Sequence, residues 1–209
     1  AIMTTVSLVF MVVVAELDPL QMVLVGTVLE LSAFLFEIPT GVVADVYSRK
    51  LSIVIGYVMM GLGFMLLGFF PTFEMILLSN VIWGIGSTFL SGATQAWISD
   101  EIGETRANAS FLIASQVGKV GGLLGIPVCI ALALIDLSYP IIFGSLGLVA
   151  LGLFCAVFMQ EKSFKPTSTE DRSSWNEMGQ TFNRGLQFVR ESTVLKLIIL
   201  IAVFEGMFS

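Results

Sequence analysis

Apolar residues fall in long uninterrupted blocks separated by short polar clusters, and no alternation of polar and apolar positions runs through the blocks. Blocks of about 20 apolar residues with few or no charges can cross a hydrocarbon core of about 30 Å as helices. Spans are predicted over Ala1–Ala15, Leu20–Val43, Leu51–Phe70, Met75–Ser99, Ala107–Ile135 and Tyr139–Met159, with a seventh opening near Val194. A transmembrane barrel would instead show strands of about 10 residues with alternating polarity. The expected fold is therefore all-α, a polytopic membrane helical bundle. The first span is short, and the sequence stops within an apolar run at EGMFS, so a fragment of a longer protein is expected. Its parts are a six-helix domain at 1–160, a linker at 161–193, and the start of a seventh span at 194–209. In the linker, Trp175, Met178, Phe182, Leu186 and Val189 recur every three or four residues, a pattern suited to an amphipathic helix on the membrane surface.

The polar clusters fix an orientation. Pro71 separates the third and fourth spans, and Asp136, Ser138 and Pro140 mark the turn between the fifth and sixth. Short connections make neighbouring spans antiparallel. On that zigzag, Arg49, Lys50, Arg106, Lys162, Lys165, Arg172, Arg184, Arg190 and Lys196 all fall on one side. The other side carries Glu16, Asp18, Glu74 and Asp136 and no base. Lys and Arg are retained on the cytoplasmic side. A multi-pass protein of the cell (inner) membrane follows, with its N-terminus and the linker after the sixth span in the cytoplasm.

Composition agrees, with 56% hydrophobic and 12% charged residues, against about 25% charged in a soluble domain. The net charge of −6 and the scattered bases give no nucleic-acid surface. Histidine is absent, which removes His-based catalysis and His metal sites. Cys129 and Cys155 sit inside apolar blocks and read as small buried hydrophobes. There is no phosphate-binding G-x-x-x-x-G-K-[ST] loop and no nucleophile–base constellation. Neither an ATP-driven pump nor an enzyme is expected, and no cofactor or metal. DEIGE, Asp100 to Glu104, reads as a solvated inner loop.

The most informative stretch is GVVADVYSRK, Gly41 to Lys50, between the second and third spans. Topology explains Arg49 and Lys50 but not Asp45. A carboxylate at the C-terminal end of a helix is opposed by that helix's dipole and calls for a partner, either a nearby Arg or the positive end of another helix. Gly41, one turn earlier, leaves room for close approach. Ser48 is suited to cap the third span. Gly41, Asp45, Arg49 and Lys50 resemble the G-x-x-x-D-[RK]-x-G-[RK]-[RK] signature of the major facilitator superfamily, and EIPTG, Glu37 to Gly41, resembles its bacterial drug-efflux-like branch. Val46 and Ser48 depart from the signature's base and glycine. The resemblance implies a six-helix half built from 3+3 inverted repeats, completed by a second half of the same protein. It also implies that Asp45 acts as a conformational latch against that half.

Charges at bilayer depth are functional candidates: Glu30, Glu37, Lys119 and Glu205. A carboxyl taken out of water titrates closer to neutrality and can carry a proton. Alternatively, Glu30 and Lys119 form a structural ion pair, or Lys119 attracts an anionic group. Glu37 lies nearer the inner surface, where it can hold the gate region together. In the fourth span Asn80, Gly84, Ser87, Ser91 and Gln95 share one face. Asn80, Ser87, Ser91 and Gln95 are candidate cavity-lining residues, the reading the resemblance favours; the stripe can equally be small-residue packing. In the fifth span Gly118, Gly121, Gly122 and Gly125 precede Pro127, partly resembling the family's antiporter motif but interrupted by Ile126, and they also suit close packing. The expected function is a secondary transporter working by alternating access, exporting a drug-like or amphiphilic small molecule with a proton as coupling ion. Uptake of another solute, or a non-transporting sensor or assembly protein, is the alternative.

Overall fold

Helix boundaries follow from local capping chemistry. The computed structural model of the chain describes residues 2–164. Its helices are α1 Ile2–Val13, α2 Pro19–Val46, α3 Arg49–Phe69, α4 Phe73–Leu90, α5 Ala93–Ile102, α6 Glu104–Ala133 and α7 Ser138–Phe158, and the described residues contain no strand. Asp18 Oδ1 accepts the Gln21 N–H at 2.8 Å, and Gln21 Oε1 accepts the Asp18 N–H at 3.0 Å. This reciprocal pair, with Pro19 just inside, starts α2. Ser48 starts α3 as the sequence predicts, its Oγ accepting the Leu51 N–H at 2.9 Å. Pro39 lies inside α2 and removes one helical donor; next to it the Thr40 hydroxyl donates to the Phe36 carbonyl at 2.8 Å.

The fourth predicted span is broken. α4 ends at Leu90, and Gly92 has φ +70° and ψ −41°. The Ala93 N–H donates back to the Ser91 carbonyl at 2.7 Å. This is a γ-turn of the strained, positive-φ kind, and glycine reaches it at least cost. The sequence expectation of one continuous helix over Met75–Ser99 fails here because apolar content runs across the break and glycine is common inside membrane helices.

α3 is the centre of the bundle, packed chiefly on α7 and α4, while α2 packs on α4. Glycines set the spacing. A Cβ on Gly61 would lie 2.6 Å from Val149 Cγ2 and 2.9 Å from the Ser145 carbonyl oxygen of α7. One on Gly63 would lie 2.9 Å from the Ser79 carbonyl oxygen of α4, and one on Gly84 2.9 Å from that of Leu29 in α2. Between helices in lipid, such close approach and the dispersion it allows replace the hydrophobic drive of a soluble core. The interior falls into two clusters. Phe10, Met11, Leu17, Val25, Phe64, Leu67, Ile76 and Ile141 form the larger. Ala44, Ile53 and Ala93, flanked by Tyr57, Leu90, Trp97 and Met159, form the smaller, toward the end of the bundle that carries the Tyr47–Ser48 turn. At the opposite end, Asp136 accepts the Ser138 N–H at 2.7 Å, and hydrogen bonds from the Ser138 backbone and hydroxyl hold its carboxyl below the usual carboxylate range.

Among the described residues, five stretches are long and apolar enough to cross a membrane: Pro19–Val46, Arg49–Phe69, Phe73–Ile102 (which spans the break), Ala109–Ala133 and Ser138–Phe158. α1, with 12 residues, covers about 18 Å as a helix, less than the hydrocarbon thickness.

Candidate functional site

Polar side chains converge around the Tyr47–Ser48 turn. Arg49, the first residue of α3, is the hub. Its Nη1 donates to Asp100 Oδ2 near the end of α5 in a short, charge-assisted contact. Its Nη2 lies 3.9 Å from Asp45 Oδ1 on α2, one turn earlier in the chain. The Asp45 side chain is 59% exposed and that of Asp100 31%, so solvent screens the Asp45 contact more and Asp100 is the firmer partner. The guanidinium also stands 5.9 Å from the Phe164 ring centroid, within cation–π range. Asp45 thus has its compensating Arg within this chain, and one cation ties α2, α3 and α5 together.

A second layer anchors the residues after α7. Glu161 Oε2 accepts the Ser48 hydroxyl at 2.6 Å and Oε1 accepts the Lys50 N–H at 3.0 Å, placing a negative charge at the start of α3. Glu101 Oε1 accepts the Lys162 and Ser163 N–H groups at 2.7 and 2.9 Å. The Trp97 indole N–H donates to the Gln160 carbonyl at 2.8 Å. Asp100 and Glu101, read from sequence as part of a solvated loop, lie on α5 as acceptors for a cation and two amides. Their available signal was the presence of acids on the side that topology fills with bases. Replacing Glu161 by Ala is expected to lower the stability of the full-length protein by about 1–2 kcal/mol, seen as a lower midpoint in a thermal melt. An unchanged midpoint contradicts the capping role.

The remaining candidates separate. Glu37, on α2, accepts the Ser91 hydroxyl at 2.7 Å. Glu30 is exposed on α2 in an open groove with Val23, Gly26, Thr27, Leu31 and Phe34. Lys119 is exposed on α6, which packs on α1, α5 and α7, whereas α2 packs on α3, α4 and α5. The ion pairs among the described residues are Arg49–Asp100 and Arg49–Asp45; a Glu30–Lys119 pair is not among them. The polar stripe divides. Asn80 is 3% exposed, lines a small void with Ser7, Ser79 and Trp83, and donates to the Ile76 carbonyl at 2.8 Å. Ser87 is half-buried and donates to the Gly84 carbonyl, whereas Ser91 and Gln95 are exposed. Gly41 has no heavy atom within 4 Å of where a Cβ would sit. Gly118, Gly121 and Gly122 are equally open, so within the described residues they are not the close-packing glycines that the sequence suggests. Glu205 and the amphipathic stretch from Trp175 to Val189 lie outside the described residues.

Comparison with known proteins bears on the chain as a whole. The chain is 25% identical over 199 residues to the uncharacterized MFS-type transporter YxaM of Bacillus subtilis (strain 168), an alignment covering 93% of the chain and 47% of that relative. The chain therefore spans about half the length of the curated relative it matches. The family model of the Major Facilitator Superfamily matches residues 1–209. With an all-helical bundle of apolar spans, the Gly41–Lys50 loop and a match along its whole length, the chain belongs to the Major Facilitator Superfamily.

Proposed function

We propose that this chain is the first half of a secondary transporter that works by alternating access. A second six-helix half of the same protein rocks against it around a site at the bilayer midplane. The observation that carries this reading is Arg49, shared between Asp45 on α2 and Asp100 on α5. A cation held by acids on two helices is a contact that can be made in one gate state and exchanged in another. Gly41, Asp45, Arg49 and Lys50 then form the cytoplasmic latch, with the loop end of the bundle inside the cell membrane's inner face.

The transported solute is a drug-like or amphiphilic small molecule, exported in exchange for a proton. Support comes from the open groove around Glu30, which is apolar apart from that carboxylate and Thr27. Sugars call for more hydrogen-bonding side chains and phosphorylated anions for more bases. Glu30 and Glu205 are the proposed proton carriers, and Lys119 a counter-charge facing the shared cavity with Ser87, Ser91 and Gln95.

The test is flux by the full-length protein in proteoliposomes, with ethidium and a panel of fluorescent amphiphiles as probes. Dye movement that rises several-fold on imposing a pH gradient is expected, with the gradient response lost in Glu30→Gln. Movement indifferent to the gradient contradicts proton coupling. No movement of any probe or of a wider solute panel, with or without a gradient, contradicts transport.

A further inference from the structure

Glu37 lies on α2 and Ser91 in the break between α4 and α5, and the two side chains meet there. α4 stops at Leu90, Gly92 adopts φ +70°, and α5 begins at Ala93. Ser91 spends its N–H on the Ser87 carbonyl and its C=O on the Ala93 N–H, at 3.0 and 2.7 Å. Its hydroxyl donates to Glu37 Oε1 at 2.7 Å, across 54 residues of sequence. All three hydrogen-bonding groups of this hinge residue are therefore engaged, and only the hydroxyl reaches another helix. Beyond the hinge, α5 carries Trp97, Asp100 and Glu101, the groups that bind Gln160, Arg49 and the amides of Lys162 and Ser163.

We propose that Glu37 is a positioning residue for the loop-end latch: it pins Ser91, keeps the span broken at Gly92, and so sets where α5 presents Asp100 to Arg49. The physical reason is leverage. The ten residues of α5 extend about 15 Å, so a pivot of about 20° at Gly92 moves the far end by about 5 Å, more than a hydrogen bond tolerates. Ala93 and Trp97 rest in the smaller apolar cluster with Ala44 and Ile53, which allows sliding but does not fix an angle. The Glu37–Ser91 hydrogen bond restrains the angle at the hinge itself, whereas the bonds of Trp97, Asp100 and Glu101 act on the far end of α5. Gly92 has no heavy atom within 4 Å of where a Cβ would sit, so crowding by neighbours at that position does not set the angle of the break. The role deepens the latch assigned above, and its claim about the hinge stands apart from any solute.

The experiment is a distance measurement in the full-length protein. Spin labels are placed at Ile102 on α5 and Leu62 on α3, both exposed, in a background lacking the native cysteines. Pulsed electron resonance is then read in detergent on the monodisperse fraction. Glu37→Ala and Ser91→Ala are each expected to shift the ratio of pinned to displaced α5 by about tenfold, the factor corresponding to about 1.4 kcal/mol, giving a longer and broader distribution. Glu37→Gln keeps an acceptor oxygen for the Ser91 hydroxyl and is expected to match the parent. Parent-like distributions in both Ala variants overturn the proposal. So does a Glu37→Gln distribution as displaced as that of Glu37→Ala, because charge rather than the hydrogen bond would then be responsible. Since no solute is involved, a negative flux assay with a positive distance result faults the transport reading alone, and the converse faults the pin alone.

Discussion

Replacing Arg49 by Ala is expected to cut probe transport by the full-length protein at least tenfold. The change leaves Asp100 with no cation and Asp45 facing its own helix dipole. A charge-assisted hydrogen bond contributes about 1.5–3 kcal/mol; breaking a fully buried pair costs about 3–5 kcal/mol. The Arg49 side chain is 19% exposed and that of Asp100 31%, which places the effect in the lower range. Arg49→Lys is expected to fall between, because an ammonium keeps the charge but lacks the fork that serves acids on two helices. Flux in proteoliposomes, normalised to protein inserted, measures it. Parent-level transport in Arg49→Ala contradicts the role given to this residue.

The second large effect is on folding. Gly61→Leu forces a branched side chain into the seam between α3 and α7, where even a Cβ would meet Val149 Cγ2 at 2.6 Å. Backbone lies just behind, at the Ser145 carbonyl oxygen, so no rotamer change of Val149 can relieve the clash. Overpacking typically costs about 1–3 kcal/mol, and here two long helices must separate, so loss of most folded protein is expected. Gly118→Leu is the control, since its surroundings are open within the described residues. Thermal melts with size-exclusion detection measure both. Equal melting of Gly61→Leu and parent contradicts the packing described for α3.

Much of the fold was legible in the sequence because hydropathy blocks of span length encode it almost directly. The start of α3 was legible for the same kind of reason: Ser48 caps locally and needs nothing distant. What escaped depended on distance or on single dihedrals. Ser91–Gly92 is a dipeptide that favours turns, but glycine is also common inside membrane helices, and the span as a whole stays apolar enough to mask the break. The acceptors for the motif residues come from 51 residues away for Asp100 and 111 for Glu161, and no periodicity links such positions. The glycines show the same limit. Four closely spaced ones in α6 draw the eye, but backbone contact depends on Gly61, Gly63 and Gly84, whose setting is fixed only by which helices neighbour them. Of the candidate site, the Gly41–Lys50 loop was visible as a motif, while its partners Asp100 and Glu161 were visible only as acids on a basic side.

The most direct measurement is a double-mutant cycle on Arg49 and Asp100, with Arg49→Ala, Asp100→Ala and the pair assayed for probe transport by the full-length protein. If Arg49 works through Asp100, the second substitution adds little to the first, leaving a coupling of about 1–2 kcal/mol between the two positions. If instead the losses simply multiply, the two side chains act independently, and the shared-cation latch proposed here is contradicted.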